Sequence, residues 1–85
     1  MNLVMVAVRD RKVEAFMTPF FVTHQGQAVR SFIDEINNPQ SSVIGKHAED
    51  FDLFLLGTFN DQDASFSPVD IPKLLMVGAD ALNRK

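Results

Sequence analysis

Gly45-Lys46-His47 is the first group of residues that could do chemistry, because a glycine turn before a lysine is how a phosphate loop is built. Such a loop needs G-x-x-x-x-G-K followed by Ser or Thr, set between a strand and a helix. Here the first Gly and the Ser or Thr are missing, so the tripeptide reads as a turn with a solvated lysine. His24 and His47 are the only imidazoles. Zinc takes three or four ligands at coherent spacing, and neither His has a ligand partner at i, i+4, so each reads as a polar cap or a solvated side chain. Asn60-Asp61-Gln62-Asp63 has the alternation of a calcium loop. That loop also requires Gly at its sixth position and Glu at its twelfth. Counted from Asn60 those positions are Ser65 and Ile71, and counted from Asp61 they are Phe66 and Pro72. A hairpin turn is what Asn and Asp favour here. Glu49, Asp50 and Asp52 could serve acid–base catalysis, but no nucleophile stands with a partnered base. The expectation is a protein that is not an enzyme and takes no metal or cofactor.

The remaining chemistry is cationic and aromatic. Arg9, Arg11 and Lys12 cluster at one place, with Arg30, Lys46 and His47 elsewhere, among eight Phe. Single-stranded nucleic acid is held by cationic grooves with aromatic platforms on which bases stack. Phe16, Phe20 and Phe21 follow the cluster closely enough to supply one. The cation cluster equally describes a solvated turn, and most of the Phe residues are needed to build the core. A net charge of −3 gives the chain no general attraction for nucleic acid.

These residues must be positioned by a small domain. The chain has 85 residues, which is one domain, taken as 1–85, near the size where a single core gives modest stability. It has no Cys, which excludes disulfides and thiolate metal sites. LVMVAV, near the start, is far shorter than the roughly 20 residues of a membrane span, and no secretory signal pattern precedes it. A soluble, non-secreted protein of the cytoplasm is expected, with no membrane partner.

The hydrophobic period changes from two to 3.6 and back. Residues 3–9 read as a buried strand and 14–22 as a second, with Pro19 marking an edge or a bulge. Ala28, Val29, Phe32, Ile33 and Ile36 form one helical stripe, predicting a helix over about 24–37 with Thr23 as its N-cap. Asn37-Asn38-Pro39 ends it, and 39–50 reads as a loop. Residues 51–59 read as a third strand, with Phe51, Leu53, Leu55, Gly57 and Phe59 on one face and Asp52, Phe54, Leu56 and Thr58 on the other. A turn at 60–64 leads to a fourth strand from Ser65, and the apolar segment of the tail reads as a helical turn or an edge strand, with a short helix near 72–76 preferred. The fold class is α+β: two antiparallel β-hairpins in a roughly four-stranded sheet on one main helix. One helix covers only one sheet face, while the strands are apolar on both. A two-fold homodimer is therefore expected, through Phe54 and Leu56.

The order of short motifs supplies a resemblance. Ala7-Val8-Arg9-Asp10, then Pro19-Phe20-Phe21, then Ala28-Val29-Arg30-Ser31-Phe32, then Gly45 through Asp61 resemble the small non-structural protein of gokushoviruses, single-stranded DNA phages of the microvirus family. Ala48 stands where that family has Pro, and the match fades after Asp63. The resemblance implies a DNA-binding protein of phage replication in the host cytoplasm. It would bind single-stranded DNA during the switch from duplex replication to single-strand synthesis and packaging. Its functional residues come from the charge argument: Arg9, Arg11, Lys12, Arg30, Lys46 and His47. The alternative is an adaptor whose apolar sheet face binds a phage replication or capsid-assembly protein.

Overall fold

The computed structural model describes residues 1–38, 40 and 43–82. Strand β1 (Asn2–Asp10) is central. Its outer side pairs antiparallel with two short pieces, β2 (Ala15–Phe16) and β3 (Phe20–Val22). They amount to one edge strand interrupted over Met17–Pro19, where proline cannot join the ladder. The other side of β1 pairs antiparallel with β4 (Phe51–Asn60), which pairs in turn with β5 (Ser65–Val77). The sheet order is β2-β1-β4-β5, with β3 beside β2 on β1. The α+β class, the two hairpins and the main helix stand as the sequence predicts.

Helix α1 (Gln25–Ile36) lays Ala28, Phe32 and Ile36 onto the sheet, against Val6, Val8, Phe51 and Leu53. Its N-cap is His24, one residue later than expected. Thr23 is held instead by Gln27, whose side-chain oxygen accepts bonds from the Thr23 amide (3.1 Å) and hydroxyl (2.9 Å). At the other end Asn37 Nδ2 donates to the carbonyls of Ile33 (2.8 Å) and Ala81 (2.9 Å). It thereby ties α1 to the last helical turn of the fold. The connection expected as a loop holds a helical turn, α2 (Val43–Lys46), and a 3-10 turn (Ala48–Asp50). Its residues 39, 41 and 42, and the tail beyond 82, lie outside the described residues.

Two expectations about strands are corrected. The segment 72–76 is not helical. It belongs to β5, where Met76, Leu74 and Lys73 pair with Leu53, Phe54 and Leu55, and the helical turn α3 (Gly78–Ala81) comes only after it. A short apolar run is ambiguous by period, and pairing with β4 decides it. The second correction concerns the faces of β4. Val6 pairs with Leu55 but the adjacent Met5 pairs with Gly57, so Leu56 is an extra residue in a β-bulge. The bulge reverses the alternation. Phe51, Leu53 and Leu55 face the helix as expected, whereas Gly57 and Phe59 cross to the far face and Thr58 crosses the other way. Gly57 makes this possible with φ at +155°, and any Cβ there would come within 2.7 Å of Pro68 Cα.

The result is two layers. The shortest dimension of the molecule is 18 Å, the thickness of one helix on one sheet. The C-terminal turn α3 packs on the 3-10 turn and on α1, so no described segment of the chain covers the second sheet face.

Candidate nucleic-acid interface

The uncovered face is aromatic. Pairing places Leu3, Met5, Ala7 and Arg9 of β1 on it, with Phe16 opposite Arg9 and Phe21 opposite Met5. Phe54, Phe59, Phe66 and Leu74 join from β4 and β5. The rings touch across strands. Phe16 meets Phe54 edge-on at 5.5 Å between centroids, and Phe21, Phe59 and Phe66 form a row at 5.5 and 5.0 Å. Contacts of this kind hold the rings in fixed orientations. Phe16, Phe21 and Phe66 nevertheless remain 43%, 45% and 59% exposed. Three of the five rings are thus open to solvent, in a sheet that fixes where each stands.

The six expected cations do not form one strip. Arg9 lies on the aromatic face, beside Phe16. Lys12 sits in the adjoining β1–β2 turn, and its amide is taken by the Asp10 carboxylate at 2.9 Å. Lys12 and His47 do come together, in an open cleft that Asp10, Glu49 and Asp50 also line. Three carboxylates there outweigh one ammonium, so the cleft repels phosphate. Arg30 is exposed on the outer side of α1, across the molecule from the aromatic face, and Lys46 ends α2. Among the expected interface residues, Phe54 lies half-buried on the open face and Leu56 is the bulged residue.

Arg11 has a structural role. Its Nε is 3.1 Å from the carboxylate of buried Asp52, its guanidinium donates to the Glu49 carbonyl, and its amide bonds the Asp50 carbonyl at 2.8 Å. The second Asp52 oxygen accepts from the Gly78 amide at 3.2 Å. One arginine thus fastens the β1–β2 turn, the entry to β4 and the end of β5. Arg11→Ala leaves a buried carboxylate unpaired. Losing a fully buried pair costs about 3–5 kcal/mol. Arg11 is half exposed, so the expected loss is about 1–2 kcal/mol, or roughly 10 °C in a thermal melt for a domain of this size. An unchanged melting temperature would show the pair to be solvated and Arg11 free.

Phe59 and Phe66 were not singled out by sequence reasoning. The signal available was Gly57 itself, since a glycine inside a strand pattern often marks a bulge.

Among the described residues no cluster could hold a metal ion, and no helix is long and apolar enough to cross a membrane. The fold and the face define a small two-layer α+β protein, one sheet face closed by a helix and the other presented as an ordered aromatic surface. Residues 3–81 match the family model described as Phage ORF5 protein, so the chain belongs to that family and is a bacteriophage protein. No curated protein and no solved structure matches it.

Proposed function

We propose that the chain is a single-stranded-DNA-binding protein of a gokushovirus, a phage of the microvirus family, and that its open aromatic sheet face is the binding site. The role is that of a non-structural protein in the host cytoplasm, without catalysis or cofactor, acting when duplex replication gives way to single-strand synthesis and packaging. Membership of the phage ORF5 family and the motif resemblance from Ala7 to Asp61 support the phage context. The observation that carries the binding role is the row of rings Phe21, Phe59 and Phe66, its two outer members about half exposed, with Phe16 and Arg9 at the far end of the same face. Bases stack on such rings with little sequence preference, and only unpaired bases have a free π-face to offer. Stacking also suits an acidic chain, because it needs few phosphate contacts.

The electrostatics make this testable. Arg9 is the cation placed to reach the backbone of a strand on this face, since Arg11 is engaged, Lys12 stands in the acidic cleft and Arg30 lies opposite. Each phosphate contact contributes about −0.7 to the slope of log affinity against log salt on single strands. One contact, at Arg9, predicts a slope of about −0.7 for labelled oligothymidylate. A slope near −2.8, four contacts, would relocate binding to a cationic strip. No binding at low salt would favour the adaptor for a replication or capsid-assembly protein.

A further inference from the structure

An aromatic face this apolar does not stay fully hydrated when copies of the chain meet. Phe16, Phe21, Phe66 and Leu74 are each about half exposed. At about 150–250 Å² per large side chain, these four alone offer roughly 400 Å². A stable interface takes about 800 Å² from each partner, and weak, transient ones fall below about 1,200 Å² in total. The face therefore matches what a weak dimer needs and falls short of a permanent one. Its charge is light: Asp52 is buried and already paired with Arg11, and Arg9 is the charged side chain of β1 on this face, so two identical faces bring little charge together. Pairing through the sheet edges is disfavoured. Pro19 interrupts one edge, and Pro68 and Pro72 interrupt the other, where residues 69–72 swing out opposite Leu56.

We infer that a second copy of the chain closes this face, sheet against sheet about a two-fold axis, in a weak dimer that single strands must displace. The displacement rests on the DNA-binding reading above; the dimer does not. Self-association and DNA binding then draw on the same rings and exclude one another, so protein not engaged with DNA keeps its aromatic surface covered.

Leu74→Ser separates the two. Leu74 is 48% exposed, sits on the open face opposite Phe54, and has no ring for a base to stack on. Sedimentation equilibrium from micromolar to millimolar protein should find the parent in a monomer–dimer equilibrium. Leu74→Ser, with folding checked by circular dichroism, should weaken it about tenfold or more. Val43→Ser, at an exposed apolar residue of α2, should leave it unchanged. Saturating oligothymidylate should convert the parent dimer to monomer–DNA complexes, and Leu74→Ser should bind DNA as tightly as the parent or more tightly. A parent that is monomeric throughout, or a dimer indifferent to Leu74→Ser, overturns the inference. DNA bound to an intact dimer overturns the exclusion. A Leu74-dependent dimer that ignores DNA upholds the interface and overturns the DNA-binding reading.

Discussion

Gly78→Ala is expected to be the most destabilising single methyl that can be added to this chain. A Cβ at Gly78 would run into the carbonyl oxygens of Ala48 and Phe51, both of them backbone atoms with no rotamer by which to yield. Gly78 is where β5 turns into α3, and its amide is the donor to Asp52. Shifting it therefore loosens the buried carboxylate and, through it, the Arg11 tie to the β1–β2 turn. Overpacking into yielding side chains costs about 1–3 kcal/mol. Against backbone the loss should be about 3 kcal/mol or more, a large fraction of the 5–15 kcal/mol available to a small domain. The melting temperature should fall by roughly 15 °C or more, read by circular dichroism. A fall of only a degree or two would mean that the turn at Gly78 has room to move and that the Asp52 node is not a fixed point.

Phe21→Ala together with Phe66→Ala is expected to have the largest effect on DNA. The two rings flank Phe59 in the row, at centroid distances of 5.5 and 5.0 Å. Both are about half exposed, so truncating them removes contact surface while disturbing the core little. Base stacking is worth about 1–3 kcal/mol per aromatic by alanine substitution. The double variant should therefore bind oligothymidylate about a hundredfold more weakly, with its salt slope unchanged because no phosphate contact is lost. Arg30→Ala and Lys46→Ala, away from the aromatic face, should leave affinity as it was. The opposite pattern, with the aromatic variant normal and the lysine variant weakened, would place the strand along α2 instead. Loss of dimerisation does not confound the comparison, because it frees the face and acts in the opposite direction.

What could be read from the sequence follows from which interactions are local. The α1 stripe of Ala28, Phe32 and Ile36 is a single-element pattern and survives intact. So do the two hairpins, and the placing of Pro19 on an edge strand, which a missing N–H dictates whatever surrounds it. The aromatic face was hidden by one residue. Strict alternation along 51–59 sends Phe59 to the helix side, and only the bulge at Leu56, fixed by register against Met5 and Val6, returns it to the face that Phe54 occupies. The tail was ambiguous for a related reason: Leu74, Leu75 and Met76 fit a helix or a strand equally until β4 offers partners. Arg11 looked like one of three equivalent cations. Its bond to Asp52, 41 residues along the chain, is a tertiary fact that no local pattern announces.

The central claim is that single strands lie on the open sheet face, and ultraviolet cross-linking tests it most directly. Oligothymidylate bound to the folded chain at low salt would be irradiated and the modified peptides identified by mass spectrometry. Thymine adducts are expected at Phe16, Phe21, Phe54, Phe59 or Phe66, the rings that stand on that face. Adducts confined to the peptides carrying Arg30, Lys46 or His47, or none at saturating oligonucleotide, would contradict it.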